Sequence, residues 1–553
     1  MLDLNPHELE TIQAILHRHV PDCEVRAFGS RYRWTAKDYS DLDLAIVGPG
    51  PLDLKRIYRL REAFETSDLR FRVDVLDWRA ISPEFRKVIE PGYEVMQQAG
   101  GSGEMASNGW SLIRLGDACS KIGSGATPRG GGNVYLEHGE IALIRSQNVY
   151  NDGFRREGLV YLSKQHADEL SNVEVQPNDV LLNITGDSVA RCCQVDNSIL
   201  PARVNQHVSI IRPASEQLDP RFLRYFLVSP LIQNQLLSWA GAGATRNALT
   251  KGMIESFEIS APRNVAEQRA IAHFLGALDD KIELNRRMND TLEAIARALF
   301  KAWFVDFEPV RARRGEARPR PMAAHATGAT TRVAPTDDDI TALFPAEFAD
   351  SALGQIPMGW KVASIGDMVQ VVGGGTPSTK EAAYWEGGTI HWATPKDMAA
   401  LSSPALLDTE RQITELGLQQ ISSGLLPKGT VLLSSRAPIG YLAIAEVPVA
   451  INQGFIAMVC EGELLNHYVL HWTRENMSII EGRANGTTFL EISKSNFRPI
   501  QVVVPSHEIM KRFVEQAEAL HQKVIANLKE SRTLAALRDA LLPKLIGGEM
   551  RVV

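Results

Sequence analysis

Along residues 1–98 the hydrophobic positions change period. Apolar residues three and four apart predict helices near 7–19 and 53–66, and short β-branched runs predict strands at 24–28, 42–47 and 71–77. The stretch QQAGGSGEMASNG at 97–109 is small, polar and rich in Gly and Ser, as flexible linkers are. A first domain is expected over 1–98, with 99–109 as linker.

The remainder is one pattern written twice. NGWSLIRLGDACSKIGSGATP (108–128) parallels MGWKVASIGDMVQVVGGGTP (358–377), with Trp, Gly-Asp and the Gly-rich turn before Thr-Pro in register. NDVLLNITG (178–186) parallels GTVLLSSRA (429–437), and VNQHVSIIRP (204–213) parallels INQGFIAMVC (451–460). The copies close alike, ATRNALTKGMIESFEISAP (244–262) against TTFLEISKSNFRPIQVVVP (487–505), with Lys251 opposite Lys494. A period of roughly 245 residues is far too long for a solenoid, so a domain and its connector are duplicated.

Each copy is followed by a long helical pattern. In 265–300, Ile271, Leu275, Leu278, Ile282, Asn285 and Asn289 fall at alternating steps of four and three, a coiled-coil seam. The same spacing recurs over 507–542 through Met510, Phe513, Ala517, Leu520, Val524 and Asn527. Each helix would run about 54 Å at 1.5 Å per residue and cannot bury its stripe alone. The simplest solution is an antiparallel pair relating the copies by a pseudo-twofold axis. Asn285, Asn289 and Asn527 either fix the register of that seam or face solvent at its rim. Between helix and second copy, the Pro-, Ala- and Arg-rich 309–336 reads as a solvated loop.

The expected divisions are a module at 110–262, a central spacer helix at 263–305, a connecting segment at 306–356, a second module at 357–505 and a C-terminal spacer helix at 506–543. The fold class is α+β multidomain: an N-terminal α/β domain, then two pseudo-twofold-related domains separated by two long antiparallel coiled-coil helices.

Composition narrows the function. With 553 residues, 44% hydrophobic and 23% charged, the chain is ordinary globular material without a membrane-length apolar run, and a cytoplasmic location with no membrane partner is expected. Five cysteines without C-x-x-C spacing suggest neither a disulfide framework nor a zinc site. A net charge of −7 argues against wrapping nucleic acid by bulk electrostatics, so any DNA contact must come from local patches or a partner. No G-x-x-x-x-G-K-[ST] loop supplies a motor, and no Asn-Pro-Pro-Tyr-like motif supplies adenine methylation.

The candidate chemistry lies in FGSRYRWTAKDYSDLDLAIV, residues 28–47. Side chains alternate along a strand, so Asp41 and Asp43 share a face, and Asp74 lies on a following strand. Three carboxylates on neighbouring strands can hold two divalent cations, and the Gly29-Ser30 turn can approach a triphosphate closely.

This front segment resembles the minimal nucleotidyltransferase domain, whose pattern runs Gly-Ser, Asp-x-Asp and a third Asp. The resemblance implies Gly29 and Ser30 at the phosphates, Asp41 and Asp43 as catalytic metal carriers, Asp74 as metal carrier or base, and Mg2+ with a nucleoside triphosphate as cofactors. Where the family usually has glycine this chain has Trp34, which would crowd the turn or reshape the nucleotide pocket.

The duplicated part, from 109 to 553, resembles the specificity subunit of type I restriction-modification systems. EQRAIAHFLGALDDKIELNRRMNDTLEAIARALFKAWFVDF (267–307) and LFPAEFADSALGQIPMGW (343–360) carry the likeness in the central region. The resemblance implies two target recognition domains, each reading half of a split site in double-stranded DNA. It also implies spacer helices that dock methyltransferase subunits, and further restriction or motor subunits as partners.

Base-reading residues are not given by family motifs. Long polar side chains near the repeated signatures are the candidates: Arg145, Gln147, Asn148, Arg246 and Lys251 in the first module, and Lys396, Arg436 and Lys494 in the second. Each is alternatively a surface residue or a local loop hydrogen bond. A competing reading makes the front domain primary, an active nucleotidyltransferase modifying a protein partner in the manner of an antitoxin, with the DNA reader as its targeting device. A third is a scaffold in which both functions have decayed.

Overall fold

The computed structural model describes residues 3–33, 40–48, 50, 52–97, 109–241, 247–316, 338–486 and 490–552. Trp34, Arg246, most of the expected 97–109 linker and the segment 317–337 lie outside the described residues.

The front domain is a mixed sheet of order β3-β2-β1-β4, formed by β1 (Glu24–Phe28), β2 (Leu42–Val47), β3 (Val73–Asp77) and β4 (Glu94–Gln97). Helices α1 (Pro6–His19) and α2 (Leu54–Glu65) contribute to its core, and α2 connects the parallel pair β2 and β3. Asn5 and Glu8 start α1 with a capping box, and Pro6 is its first residue. Strand β4 and helix α3 (Pro83–Ile89) are not announced by the hydrophobic period. Gln97, the first residue of the small, polar stretch, is the buried end of β4, its Nε2 donating to Val20 O at 2.6 Å and Cys23 O at 3.1 Å.

By compactness the chain divides into residues 1–280 with 534–553, and residues 281–533. Within the first unit, the module opens and closes on one antiparallel ribbon, Trp110–Arg114 against Glu258–Pro262. It contains an antiparallel sheet built on Val180–Asn183 and Val208–Pro213, and a second sheet in which Ile141–Ile144 and Ala202–Val204 run parallel. The second unit repeats the plan. Lys361–Ser364 pairs with Gln501–Val504, Val431–Ser435 with Phe455–Val459, and Ile390–Ala393 runs parallel to Val449–Ile451.

The long helices are Val265–Phe304 and His507–Ile546, each 40 residues and longer than the seam alone required. The first continues because Phe300, Trp303 and Phe304 enter the core of the second unit. Within that unit the two helices are antiparallel, Asn285 meeting Ser531 and Asn289 meeting Asn527. All three asparagines are buried, so the solvent-rim alternative does not apply. Asn285 Nδ2 donates to Glu530 Oε2 at 2.8 Å, Lys281 Nζ donates to Asn285 Oδ1 at 3.0 Å, and Asn527 Nδ2 donates to Asn289 Oδ1 at 2.8 Å. Each bond forms at one register only, which is how polar seam residues specify it.

In the first unit Asp279 accepts from Arg224, Tyr225 and Arg538, tying the module to both helices. The connector does not begin as the expected loop. Glu308–Arg313 is a helix, and Arg313 Nη1 donates to Ala342 O at 3.1 Å. Among the described residues no helix is long and apolar enough to cross a membrane.

Candidate functional site

In the front domain β1 delivers the chain into the Gly29-Ser30 turn, and β2 brings Asp43 back opposite Phe28. Gly29 has φ +81°, and a Cβ there would lie 2.0 Å from Asp43 Oδ2. Glycine alone satisfies both conditions, so the turn is pressed against the carboxylate. Asp43 and Asp74 are register partners on parallel strands, about 4.8 Å apart as neighbouring strands are. Asp41 is exposed and lies just before β2, which begins at Leu42. Arg72 Nε lies 3.3 Å from Asp74 Oδ1.

Burial, then the neighbouring charges of Asp74 and Asp41, push the Asp43 carboxyl up to about 6. Two further carboxylates beside a half-buried one repel its charge, and a divalent cation would relieve that repulsion. The donor set therefore fits a hard cation and its all-oxygen preference. Among the described residues no three His, Cys, Asp or Glu side chains gather closely enough to hold a metal ion, so the trio is aligned without being converged.

Arg31, which the sequence reading passed over, holds the turn. It is 6% exposed, donates from Nε to Ser40 O at 2.9 Å and from Nη1 to Asp3 O at 3.1 Å, and its guanidinium lies 3.8 Å from the Phe71 ring centroid. A charged residue directly after Gly-Ser was the available signal, but both bonds go to backbone carbonyls that no motif encodes.

In the first module Arg145, Gln147 and Asn148 share the loop after Ile141–Ile144. Asn148 is fully buried. It accepts from Arg145 N at 3.0 Å and donates to Arg155 O at 2.9 Å and Glu157 O at 3.1 Å. Its polar atoms are engaged by the backbone of its own loop. Arg145 Nη2 donates to Gly158 O at 2.5 Å, and Gln147 remains exposed with Nε2 3.3 Å from the same carbonyl. Lys251 is exposed and pairs with Glu255 at 3.4 Å.

In the second module Lys396 occupies the equivalent position after Ile390–Ala393, on the short helix Pro395–Ala399, and pairs with Glu410 at 2.7 Å while largely exposed. Arg436 lies 3.7 Å from Glu491. Lys494 starts the short helix Lys494–Phe497 and passes over the Gly-rich turn, its Nζ 3.3 Å from where a Cβ on Gly373 would stand. Among the described residues, Arg145, Gln147 and Asn148 share one segment of the first module and Lys251 lies on another, while Lys396, Arg436 and Lys494 come from three segments of the second.

Known families match three segments of the chain. The type I restriction modification DNA specificity domain matches twice, over 107–294 and 357–531, and the polymerase beta nucleotidyltransferase family matches 10–98. The Type I restriction enzyme HindI specificity subunit of Haemophilus influenzae is 26% identical over 421 residues, covering 69% of this chain and 90% of that protein. The MjaIX specificity subunit of Methanocaldococcus jannaschii is 40% identical over 164 residues, 29% of this chain and 38% of that protein. A probable protein adenylyltransferase, MntA of Haemophilus influenzae, is 50% identical over 97 residues, 18% of this chain and 85% of that protein. With two specificity domains over most of its length and a nucleotidyltransferase domain in front, the chain belongs to the type I restriction modification DNA specificity family.

Proposed function

We propose that this chain is the sequence-reading subunit of a cytoplasmic type I restriction-modification complex. Each module reads one half of a split site in double-stranded DNA, and the paired helices act as spacer and docking surface for methyltransferase subunits, with restriction and motor subunits completing the assembly. The observation that carries this is the duplication itself: two modules with one strand plan, each followed by a 40-residue helix, with matches to the specificity domain over both. A split DNA site offers two unlike halves on one backbone, which two diverged copies of one reader suit. Methylation mapping of the host genome with and without the gene tests it. Loss of one bipartite methylated sequence is expected, and an unchanged methylome overturns the reading.

For the front domain we propose metal-dependent nucleotidyl transfer. Asp41, Asp43 and Asp74 would hold Mg2+, which neutralises triphosphate charge and favours attack at the α-phosphorus. The Gly29-Ser30 backbone would lie against the phosphates, while Arg31 keeps the turn closed. The raised Asp43 carboxyl beside the glycine turn supports this assignment. Purified full-length protein with labelled nucleoside triphosphates and Mg2+ should label a protein partner. Absence of labelling across all four nucleotides and the assembled complex would overturn it.

A further inference from the structure

Both Gly-rich turns make the same close approach. A Cβ on Gly125 would stand 1.9 Å from Val204 O, and one on Gly374 would stand 1.9 Å from Ile451 O. The following threonine then reaches the glutamine of the facing Asn-Gln pair. Thr127 Oγ1 donates to Gln206 Oε1, and Thr376 Oγ1 donates to Gln453 Oε1 at 2.5 Å. All four residues are exposed, while Pro128 and Pro377 beside them are buried.

Stability does not account for this repetition. A neutral hydrogen bond in water contributes about 1 kcal/mol or less, yet the pair persists in two modules whose neighbouring loops have diverged. With its oxygen engaged by a hydroxyl, each glutamine keeps its NH2 as a donor. In the first module that nitrogen lies 3.1 Å from His207 Nε2, which leaves one N–H for a further partner. Lys494 adds an ammonium over the turn of the second module, and the helix carrying Lys251 packs against strand Cys119–Ser124 of the first. A surface of donors fits an anion.

The clasp is stitched to the loop beside it in both modules. Asn205 N donates to Ile144 O, and Asn452 N donates to Ala393 O, each at 3.0 Å. Those loops share a frame: Asn148 accepts from Arg145 N as Asp397 accepts from Thr394 N, at 3.0 and 2.8 Å. Their outward residues differ, Gln147 in one and Lys396 in the other, both exposed.

We propose that the Thr127–Gln206 and Thr376–Gln453 clasps grip the DNA phosphate backbone, holding Gln147 and Lys396 over the base edges of their respective half-sites. This rests on the modules reading DNA. The backbone is common to both half-sites and the bases are not, so the repeated element meets the common feature and the diverged residue meets the varying one.

The test uses the assembled methyltransferase complex and duplexes carrying the mapped site, single mismatches or scrambled sequence. Gln206→Glu and Gln453→Glu should each weaken retention of every duplex by about tenfold, the worth of a hydrogen bond to a charged group. Thr127→Val should reproduce the effect without adding charge. Gln147→Lys should change the preferred base in the first half-site alone. A wild-type complex with no sequence preference would overturn the DNA reading beneath the proposal. A selective wild type with unaltered clasp variants overturns the clasp. Loss confined to one base pair would make the clasp a base contact, and loss of methyltransferase subunits from the complex would make it a protein contact, each replacing the proposal.

Discussion

Trp239 Nε1 donates to the Ala80 carbonyl at 2.6 Å, joining the first recognition module to the front domain. Gln235 Nε2 reaches the same carbonyl at 3.1 Å, and Leu231 packs against the front domain's core. All three residues lie on helix Pro230–Gly241, and Ala80 lies between β3, which carries Asp74, and α3. The front domain is docked on the reader rather than merely tethered to it.

Trp239 also packs edge-to-face on Phe257, centroids 5.1 Å apart, so truncation would damage the module itself. Trp239→Phe keeps a ring and removes the N–H. Combined with Gln235→Ala it should cost docking about 1–3 kcal/mol by leaving the Ala80 carbonyl unpartnered. Hydrogen exchange should speed up around 78–82 while the module core stays protected. Unchanged exchange would show that the contact does not hold the domain.

Asp43→Asn should abolish divalent-ion-dependent transfer, a fall of at least 100-fold, while leaving the methylated DNA sequence unchanged, as checked by labelled nucleotide and methylation mapping on one preparation. Its effect on metal-free stability has a defined sign. A carboxyl pushed up to about 6 favours the folded state below its ordinary value of 3.8 and loses that contribution as pH rises through 6. Asparagine carries no such loss. The variant should melt higher than wild type at pH 7, by about 1 kcal/mol after allowance for solvent screening, and alike at pH 4.

Asn527→Leu leaves Asn289 Oδ1 buried without its donor and should destabilise the helix pair by about 1–3 kcal/mol. Adding Asn289→Leu should recover most of that, because two apolar residues satisfy an apolar seam. Urea unfolding of the four proteins in the cycle measures the coupling. Equal losses in single and double variants would deny the pair its role.

His471 is buried against Phe300, ring centroids 5.7 Å apart, and burial, followed by the nearby Arg474, drives its imidazole down to about 3. The unfolded chain therefore takes up a proton near pH 6.5 that the folded chain refuses. Stability is full above 6.5 and falls with acidification at about 1.4 kcal/mol per pH unit. Glu518, held at about 2 chiefly by its hydrogen bond from His467, adds a second loss below pH 4.5. His471→Leu should flatten the acid side of a melting-temperature profile between pH 6.5 and 5.

Asn148→Ala should remove reading of the whole first half-site together with about 1–3 kcal/mol of module stability, because three backbone groups lose their partner. Gln147→Ala should relax one base pair at no cost in melting temperature. The two adjacent residues are separated by comparing methylation profiles with thermal melts.

The sequence by itself determined what local period and repetition can carry. The first two helices and first three strands of the front domain, the duplicated signatures and the seam through Asn285, Asn289 and Asn527 were legible, because side-chain spacing on a helix or strand depends on the residues beside it in the chain. Legible too was the association of Gly-Ser with three aspartates. Tertiary structure alone decided which polar residues are spent. Asn148 and Gln147 are neighbours with similar side chains, yet one is buried by carbonyls at 155 and 157 and the other faces water. The asparagines of the seam became register bonds only when a helix some 240 residues away in the chain supplied their partners. Thr127 meets Gln206 across 79 residues of chain, and Trp239 meets Ala80 across 159. A hydrogen bond depends on angstrom-scale position in space, and chain order constrains that only over a few residues, so contacts closed by distant backbone are settled by packing.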